Sequence, residues 1–185
     1  YKRSGLDQTK EKRDKIKEMM DEMSSLANKF SRNINENTVE FKCEKHELEG
    51  CFKEFIESNT QKDGTIKISL VSSTILQILH NCKVKKTRET VRELSLSSCK
   101  ESNWDVLPSF LNKAEQLAKL IGFNNYAELS MEDKMIENPK RAAEFIQSLL
   151  DSTKDRVDLE VQMIKDFKLK SKDQTDLTYA DIDYY

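Results

Sequence analysis

Glycine and proline are scarce in this sequence, with four Gly and two Pro among 185 residues. Sandwiches and barrels need many tight turns, and turns depend on these two residues, so both fold types are disfavoured. Nor does the sequence contain an apolar run of about 18 residues, which excludes a helix of the membrane-spanning type. Helices are the elements that remain, and we predict a mainly α protein.

The sequence also has little excess charge, since 31 Lys and Arg oppose 33 Asp and Glu and leave a net charge of −2. This balance predicts neither a nucleic-acid nor a membrane-surface partner. Four cysteines without tight spacing indicate reduced thiols of a cytosolic-type compartment. The first residues include no apolar stretch of signal-peptide type and no initiator Met, so we expect an engineered truncation, a processed product or a piece of a longer protein.

Apolar residues recur at steps of three and four over most of the length, which predicts amphipathic helices. Asp7 is the predicted N-cap of the first helix. Two runs instead alternate apolar and polar residues and predict a small sheet within a β-containing insertion at 38–70. The predicted helical segments are 7–36, 44–58, 73–81, 86–98, 103–121, 124–135 and 138–170, and the predicted strands are 38–42 and 66–70.

Two histidines limit the chemistry that this sequence can support. The dipeptide His46-Glu47 begins like a His-Glu-x-x-His zinc motif, but the fifth position is Gly50, so the second imidazole is absent. The hydroxyl-rich stretch 95–98 has no histidine at a spacing that would make it a general base. Neither pattern predicts an active site.

A weaker metal candidate is formed by Cys43, His46 and Cys51, with Cys82 or His80 as a distant fourth ligand. A zinc knuckle normally has its fourth ligand close in sequence, and nearby phenylalanines indicate core packing instead. Buried thiols are the usual state of free cysteines. We therefore predict no metal ligand and no catalytic residue in this sequence.

The order of several short motifs carries more information than any one of them. The motifs are KRSGL (2–6), FSRNINENT (30–38), ELEG (47–50), IKISL (66–70), CKV (82–84), TR (87–88), CKESN (99–103), LIGFNNYAE (120–128) and ADIDYY (180–185). In this order and spacing the sequence resembles the middle region of the M3 family of zinc metallopeptidases, which includes thimet oligopeptidase and neurolysin. The similarity covers essentially the whole chain.

This resemblance implies a helical lobe of a two-lobed fold around a deep channel, in which short peptides are cleaved. The zinc that performs this chemistry is held in the family by His-Glu-x-x-His and a later Glu, and the resemblance places that catalytic lobe beyond residue 185. Residues 1–185 would then be a single helical region that forms channel wall, with zinc in the full-length enzyme and none bound by this chain. The implied location is cytoplasmic, with mitochondria as the alternative.

Two positions depart from the family pattern. Ala180 stands where the family usually has Trp before the Asp of the final motif, and Ala114, beside Lys113, stands where it often has Arg. These departures indicate a divergent member and leave open an inactive truncated paralogue. A free-standing helical protein-interaction module is the alternative from another functional class.

The missing lobe leads to two further expectations. We expect an exposed apolar patch on the isolated chain, with Tyr184 and Tyr185 directed toward contacts beyond the last residue. We also expect the 185-residue chain neither to hold zinc nor to cleave peptides.

Overall fold

Helices dominate the computed structural model, which describes residues 8–171 and 173–185. The α-helices are α1 (Lys10–Asn35), α2 (Lys53–Asn59), α3 (Ser72–Asn81), α4 (Lys85–Leu96), α5 (Lys100–Asn103), α6 (Val106–Ile121), α7 (Tyr126–Met131) and α8 (Pro139–Lys170). A 3₁₀ helix covers Lys45–Leu48, and the strands are β1 (Glu40–Cys43) and β2 (Ile66–Ser69). The prediction of a mainly α fold with a small inserted β element is confirmed.

The two strands pair antiparallel, with Phe41 opposite Ile68 and Cys43 opposite Ile66. Both fall within the predicted insertion at 38–70. Phe41, Ile66 and Ile68 are buried on one face, whereas Glu40 and Lys42 alternate with them and are exposed. This alternation produced the sequence prediction, because successive strand residues point to opposite faces.

The boundaries of the first helix differ slightly from the prediction. The proposed cap, Asp7, lies outside the described residues. The helix begins at Lys10, and the Thr9 hydroxyl accepts a hydrogen bond from the Lys12 amide at 3.4 Å. A Thr cap at this position satisfies one of the amides that have no partner within the helix.

Two predicted helices are interrupted. The segment 44–58 breaks at Gly50, whose φ of +94° is left-handed, and the segment 103–121 is replaced by α5 and α6 on either side of Trp104 and Asp105. Cys99, just before α5, also has a positive φ of 62°. The Asn103 side chain donates from Nδ2 to the Phe30 carbonyl at 3.3 Å, and its Oδ1 accepts from the Asn33 side-chain amide at 2.7 Å. These contacts join α5 to α1 between residues about 70 positions apart, and local periodicity does not contain them.

The described residues divide into two compact units, each with its own core. The first unit comprises 8–36 and 99–154, and its core joins α1, α6 and α7. The buried residues of that core are Ile16, Met19, Met23, Ala114, Leu117, Ala118 and Leu129. The buried residues of α1, namely Ile16, Met19 and Met23, are three and four positions apart, and residues at this spacing share one face of a helix.

The second unit comprises 37–98 and 155–185 and is built on the antiparallel pair β1 and β2 with α3 and α4. Its buried core residues are Phe41, Leu48, Ile66, Ile68, Ile78, Cys82 and Val91. At no point in the described helices is there a segment long and apolar enough to cross a membrane.

Candidate functional site

A buried salt bridge joins α4 to the segment that comes after α8 in the second unit. The Arg88 side chain is 1 % exposed, and its Nη2 donates to the Asp181 carboxylate at 2.6 Å. Its Nη1 donates to the backbone carbonyls of Cys82 at 2.8 Å and Lys83 at 3.1 Å. A buried guanidinium needs partners for its charge and its donors, and this arrangement supplies them for the charge and for both terminal nitrogens, whereas Arg88 Nε has no hydrogen-bond partner among the described residues.

Asp181 is fully buried and compensated on both of its oxygens. Its Oδ2 accepts from the Thr178 amide at 3.0 Å and lies 3.5 Å from Lys85 Nζ and 3.7 Å from Lys168 Nζ. Burial raises the pKa of this carboxyl, but the hydrogen bonds from Arg88 and Thr178 and the Lys168 charge lower it more. The net pKa therefore lies below its usual value, and Asp181 stays ionised at neutral pH.

Lys168, in the last turn of α8, is the second buried cation near Asp181. We call Arg88, Lys168, Asp173 and Asp181 the ionic cluster. It forms an ion pair with Asp173 and donates to the Thr175 hydroxyl at 2.9 Å. The hydrogen bonds from Lys168 and then from Thr175 hold the pKa of Asp173 well below its usual range. The Tyr185 hydroxyl also donates to Asp173 at 3.0 Å, and burial followed by this carboxylate raises the pKa of Tyr185 to about 12.

The rings of Tyr184 and Tyr185 pack against the buried cations of this cluster. The Tyr184 ring lies 4.0 Å from the Arg88 guanidinium carbon, and the Tyr185 ring contacts the Phe167 ring edge-on at a centroid distance of 6.2 Å. Both side chains therefore have contacts within this chain while they stay half-exposed, and the expectation that they also contact residues beyond Tyr185 stays a prediction. Stacking of a ring over a buried cation is favourable because the face of an aromatic ring has a negative electrostatic potential.

The groups of this cluster are placed to stabilise the fold and not to catalyse a reaction. The Asp173 and Asp181 carboxylates are ionised and paired with cations, so neither is available as a general base. The hydroxyl groups around the cluster belong to Thr and Tyr residues that already donate hydrogen bonds to these carboxylates. The sequence motifs include Arg88 and Asp181 without indicating a role for either, and sequence reasoning did not identify Lys168 at all. A lysine on the apolar stripe of α8 was the available signal.

The residues weighed as metal ligands do not come together as one site, because the two histidines lie apart from the cysteines. His46 is exposed, with its Nδ1 3.2 Å from Glu44 Oε2, and His80 is exposed on α3. Cys43, Cys51 and Cys82 all contribute to the core of the second unit. Within residues 8–171 and 173–185, no group of three or more His, Cys, Asp or Glu side chains is placed to hold a metal ion.

The two positions that depart from the family pattern are both buried. Ala114 is 1 % exposed and packs in the core of the first unit, while neighbouring Lys113 pairs with Glu22 of α1. Ala180 is 3 % exposed and immediately precedes Asp181 in the ionic cluster. The cluster thus forms around Asp181 with a small, buried alanine directly before it.

An apolar groove lies in the first unit between α1 and α6, with a volume of about 220 Å³. Leu26, Phe30, Leu107 and Phe110 contribute to its walls, and Ser31 also lines it. Separately, four large apolar residues of α8 are about half exposed along one face of the helix: Phe145, Ile146, Leu149 and Leu150. We call these four residues the α8 patch, and they confirm the expected exposed apolar surface.

Comparison with known proteins relates the whole chain to oligopeptidases. A probable thimet oligopeptidase of Arabidopsis thaliana is 25% identical over 100% of this chain and 26% of its own length. A thimet-like oligopeptidase of Dictyostelium discoideum is 30% identical over 75% of this chain and 21% of its own length. Oligopeptidase A of Haemophilus influenzae is 26% identical over 100% of this chain and 30% of its own length. The chain thus spans about a quarter of the length of these curated relatives.

The family model of peptidase family M3 matches residues 78–185. This range begins in α3 and includes α4, all of α8 and the ionic cluster around Asp181. It covers more than half of the chain, and with the relatives above it shows that the chain belongs to peptidase family M3.

Proposed function

We propose that this chain is part of a zinc metallo-oligopeptidase that hydrolyses peptide bonds in short peptides. The observation that carries the proposal is the match of residues 78–185 to peptidase family M3. In this proposal the chain is a single helical region of a longer polypeptide. Its catalytic lobe lies beyond residue 185, and its location is cytoplasmic, with mitochondria as the alternative.

The described residues of this chain do not fit the catalytic zinc. A catalytic zinc site needs three protein ligands and one open position. His46 is exposed beside Glu44, His80 lies on a separate helix, and the His-Glu-x-x-His sequence does not occur. We therefore assign the zinc to the proposed downstream lobe and assign no catalytic step to residues of this chain.

The role that we propose for this chain is steric, as part of the wall of a substrate channel. Its helices have large solvated faces, and the α8 patch supplies an apolar surface of the kind that marks contacts with other protein segments. Such a wall admits short unfolded peptides and excludes folded proteins. The missing catalytic lobe and short peptides are the proposed partners, with no nucleic acid or membrane among them.

The exposed α8 patch also favours a second candidate, a free-standing helical interaction module or an inactive truncated paralogue. The two candidates differ in the codons that come after Tyr185 in the native transcript. A reading frame that continues into His-Glu-x-x-His supports the peptidase, whereas a stop codon directly after Tyr185 supports the module.

The decisive experiment compares the extended polypeptide with the 185-residue chain. The extended protein should contain one zinc by elemental analysis and cleave a quenched fluorescent peptide, with the activity abolished by a chelator. The 185-residue chain, as the control, should contain no stoichiometric zinc and show no turnover. Zinc-dependent cleavage by the 185-residue chain would contradict the assignment of catalysis to another lobe.

A further inference from the structure

We propose that Cys51 and Cys82 form a reversible disulfide site in the second unit, with a low-molecular-weight disulfide such as oxidised glutathione as the oxidant. The site is independent of peptide hydrolysis and does not rest on the proposed function. It joins the turn after the 3₁₀ helix Lys45–Leu48 to the residues between α3 and α4.

The backbone brings the two segments into direct contact. The Lys83 amide donates to the Glu49 carbonyl at 2.7 Å, one residue beyond Cys82 on one side and two residues before Cys51 on the other. Gly50 lies so close to the second segment that a Cβ there would overlap the Asn81 carbonyl oxygen and come within 2.9 Å of Lys83 Cγ. Disulfides require closely approaching backbones, and this crossing provides the approach.

The two thiols themselves are also in contact. Cys82 Sγ lies 3.3 Å from the Glu47 carbonyl oxygen, to which it donates, and Cys51 and Cys82 share a side-chain hydrogen bond. This hydrogen bond from Cys51 is the main cause that lowers the pKa of Cys82, against the opposing effect of burial. The same bond, followed by burial, raises the pKa of Cys51. A proton shared in this way lets one sulfur of the pair become a thiolate while the other is protonated, and the thiolate is the nucleophile of thiol–disulfide exchange.

The exposure of the two residues sets the order of the steps. Cys51 is partly exposed and Cys82 is fully buried, so a dissolved disulfide reaches Cys51 first. Cys51 passes its proton to Cys82 through the shared hydrogen bond, and its sulfur attacks the glutathione disulfide, so that a mixed disulfide forms and one glutathione thiolate leaves and takes up a proton. Cys82 then loses its proton to solvent and attacks the Cys51 sulfur, and the mixed S–S bond breaks as the second glutathione leaves and takes up a proton. Two protein thiols are oxidised, and one glutathione disulfide is reduced to two thiols.

Cys43 is the competing thiol, since it packs on the same core from β1. Its pKa is raised to about 11, first by burial, then by the Glu47 carboxylate and by Cys82. Unlike Cys51, Cys43 has no hydrogen bond with Cys82 through which its proton could pass. Cys99 belongs to the first unit, where its Sγ donates to the Asn33 carbonyl at 3.2 Å.

The test equilibrates the 185-residue chain in glutathione redox buffers, followed by acid quenching, alkylation and peptide mass mapping. We expect the number of alkylated thiols to fall from four to two, with a Cys51–Cys82 cross-link that dithiothreitol reverses. Oxidation should also raise the thermal midpoint, because the bond closes a loop of about 30 residues in the unfolded chain. The variants Cys51→Ser and Cys82→Ser should lose the cross-link.

Cys43→Ser and Cys99→Ser serve as matched controls and should keep the cross-link and the loss of two thiols. If Cys82→Ser fails to fold, Cys51→Ser alone tests the site, since Cys51 is the more exposed partner. A Cys43–Cys82 or intermolecular disulfide in place of Cys51–Cys82 would overturn the proposal. So would four free thiols in the wild-type chain at every redox ratio.

Discussion

Arg88 and Asp181 have almost no solvent contact, so each depends on the other for charge compensation. Asp181 has three further partners, namely Lys85, Lys168 and Thr178. They do not replace the guanidinium, because the two lysines lie farther from the Asp181 carboxylate than Arg88 does and Thr178 carries no charge. Removing one member of such a pair leaves an uncompensated buried charge, which costs more than the pair contributes when intact. Stability at this site is therefore sensitive to single substitutions.

We predict that Asp181→Ala lowers the free energy of unfolding by about 3–5 kcal/mol, the usual cost of breaking a buried ion pair. The measurement is urea unfolding followed by circular dichroism. Asp176→Ala is the matched control, since this exposed residue of the same segment should cost less than about 0.5 kcal/mol. Equal losses in the two variants would show that the buried pair is not what stabilises the segment.

The free energy of unfolding at low pH should also depend on the ionic cluster. The pKa values of Asp173 and Asp181 are lowered in the folded state, so both groups bind protons more readily when unfolded. Their stabilisation is complete above the unfolded-state pKa of about 4 and is lost as the pH falls below it toward the folded-state values.

We therefore expect the unfolding free energy to decrease steadily with acidification below about pH 4. In Asp181→Asn the slope against pH should be shallower, because one of the linked protonations is gone. Denaturant midpoints measured across this pH range provide the test. An unchanged slope in the variant would contradict the assignment of a lowered pKa to Asp181.

At the scale of elements, two glycines with similar backbone angles differ in their surroundings. Gly50 has a φ of +94° and contacts the Asn81 and Lys83 backbone, whereas Gly64 has a φ of +85° and open space around it. The first needs glycine for conformation and for space, and the second needs it for conformation alone.

Gly64→Ala should cost about 1 kcal/mol, the strain of a left-handed alanine. Gly50→Ala should cost about 3 kcal/mol or more, because overlap with a backbone carbonyl adds to that strain. Urea unfolding of both variants measures the difference directly. Similar losses would mean that the turn at Gly50 moves away from Asn81 without penalty.

At the scale of the whole molecule, the α8 patch is a set of large apolar side chains that water reaches. Exposed patches of this kind bind apolar dyes and mark interaction surfaces. The double variant Leu149→Gln/Leu150→Gln should clearly reduce the fluorescence of an apolar dye added to the native chain.

The control for this prediction is Met135→Gln, because Met135 is 95% exposed but stands apart from the patch in sequence. That variant should leave the dye signal unchanged, and circular dichroism should verify that both variants keep their helices. An equal dye signal in the double variant and in the wild type would indicate that the dye binds elsewhere, such as in the groove between α1 and α6.

The sequence by itself determined the class of elements and most of their positions. The spacing of apolar residues on α1, α3, α4 and α8 and the alternation at Phe41 and Ile68 are local patterns, so they are visible without the fold. The motif order likewise identified the family, since it depends only on the linear sequence.

Only the tertiary structure decided how distant residues meet. Arg88 and Asp181 are separated by 93 positions, and no periodicity pairs them. Tyr184 and Tyr185 pack on Arg88 and Phe167 for the same reason, and the contact between Cys51 and Cys82 depends on Gly50 crossing Asn81. Local patterns record which face of an element is apolar, whereas the burial of charges, rings and thiols depends on which element covers that face.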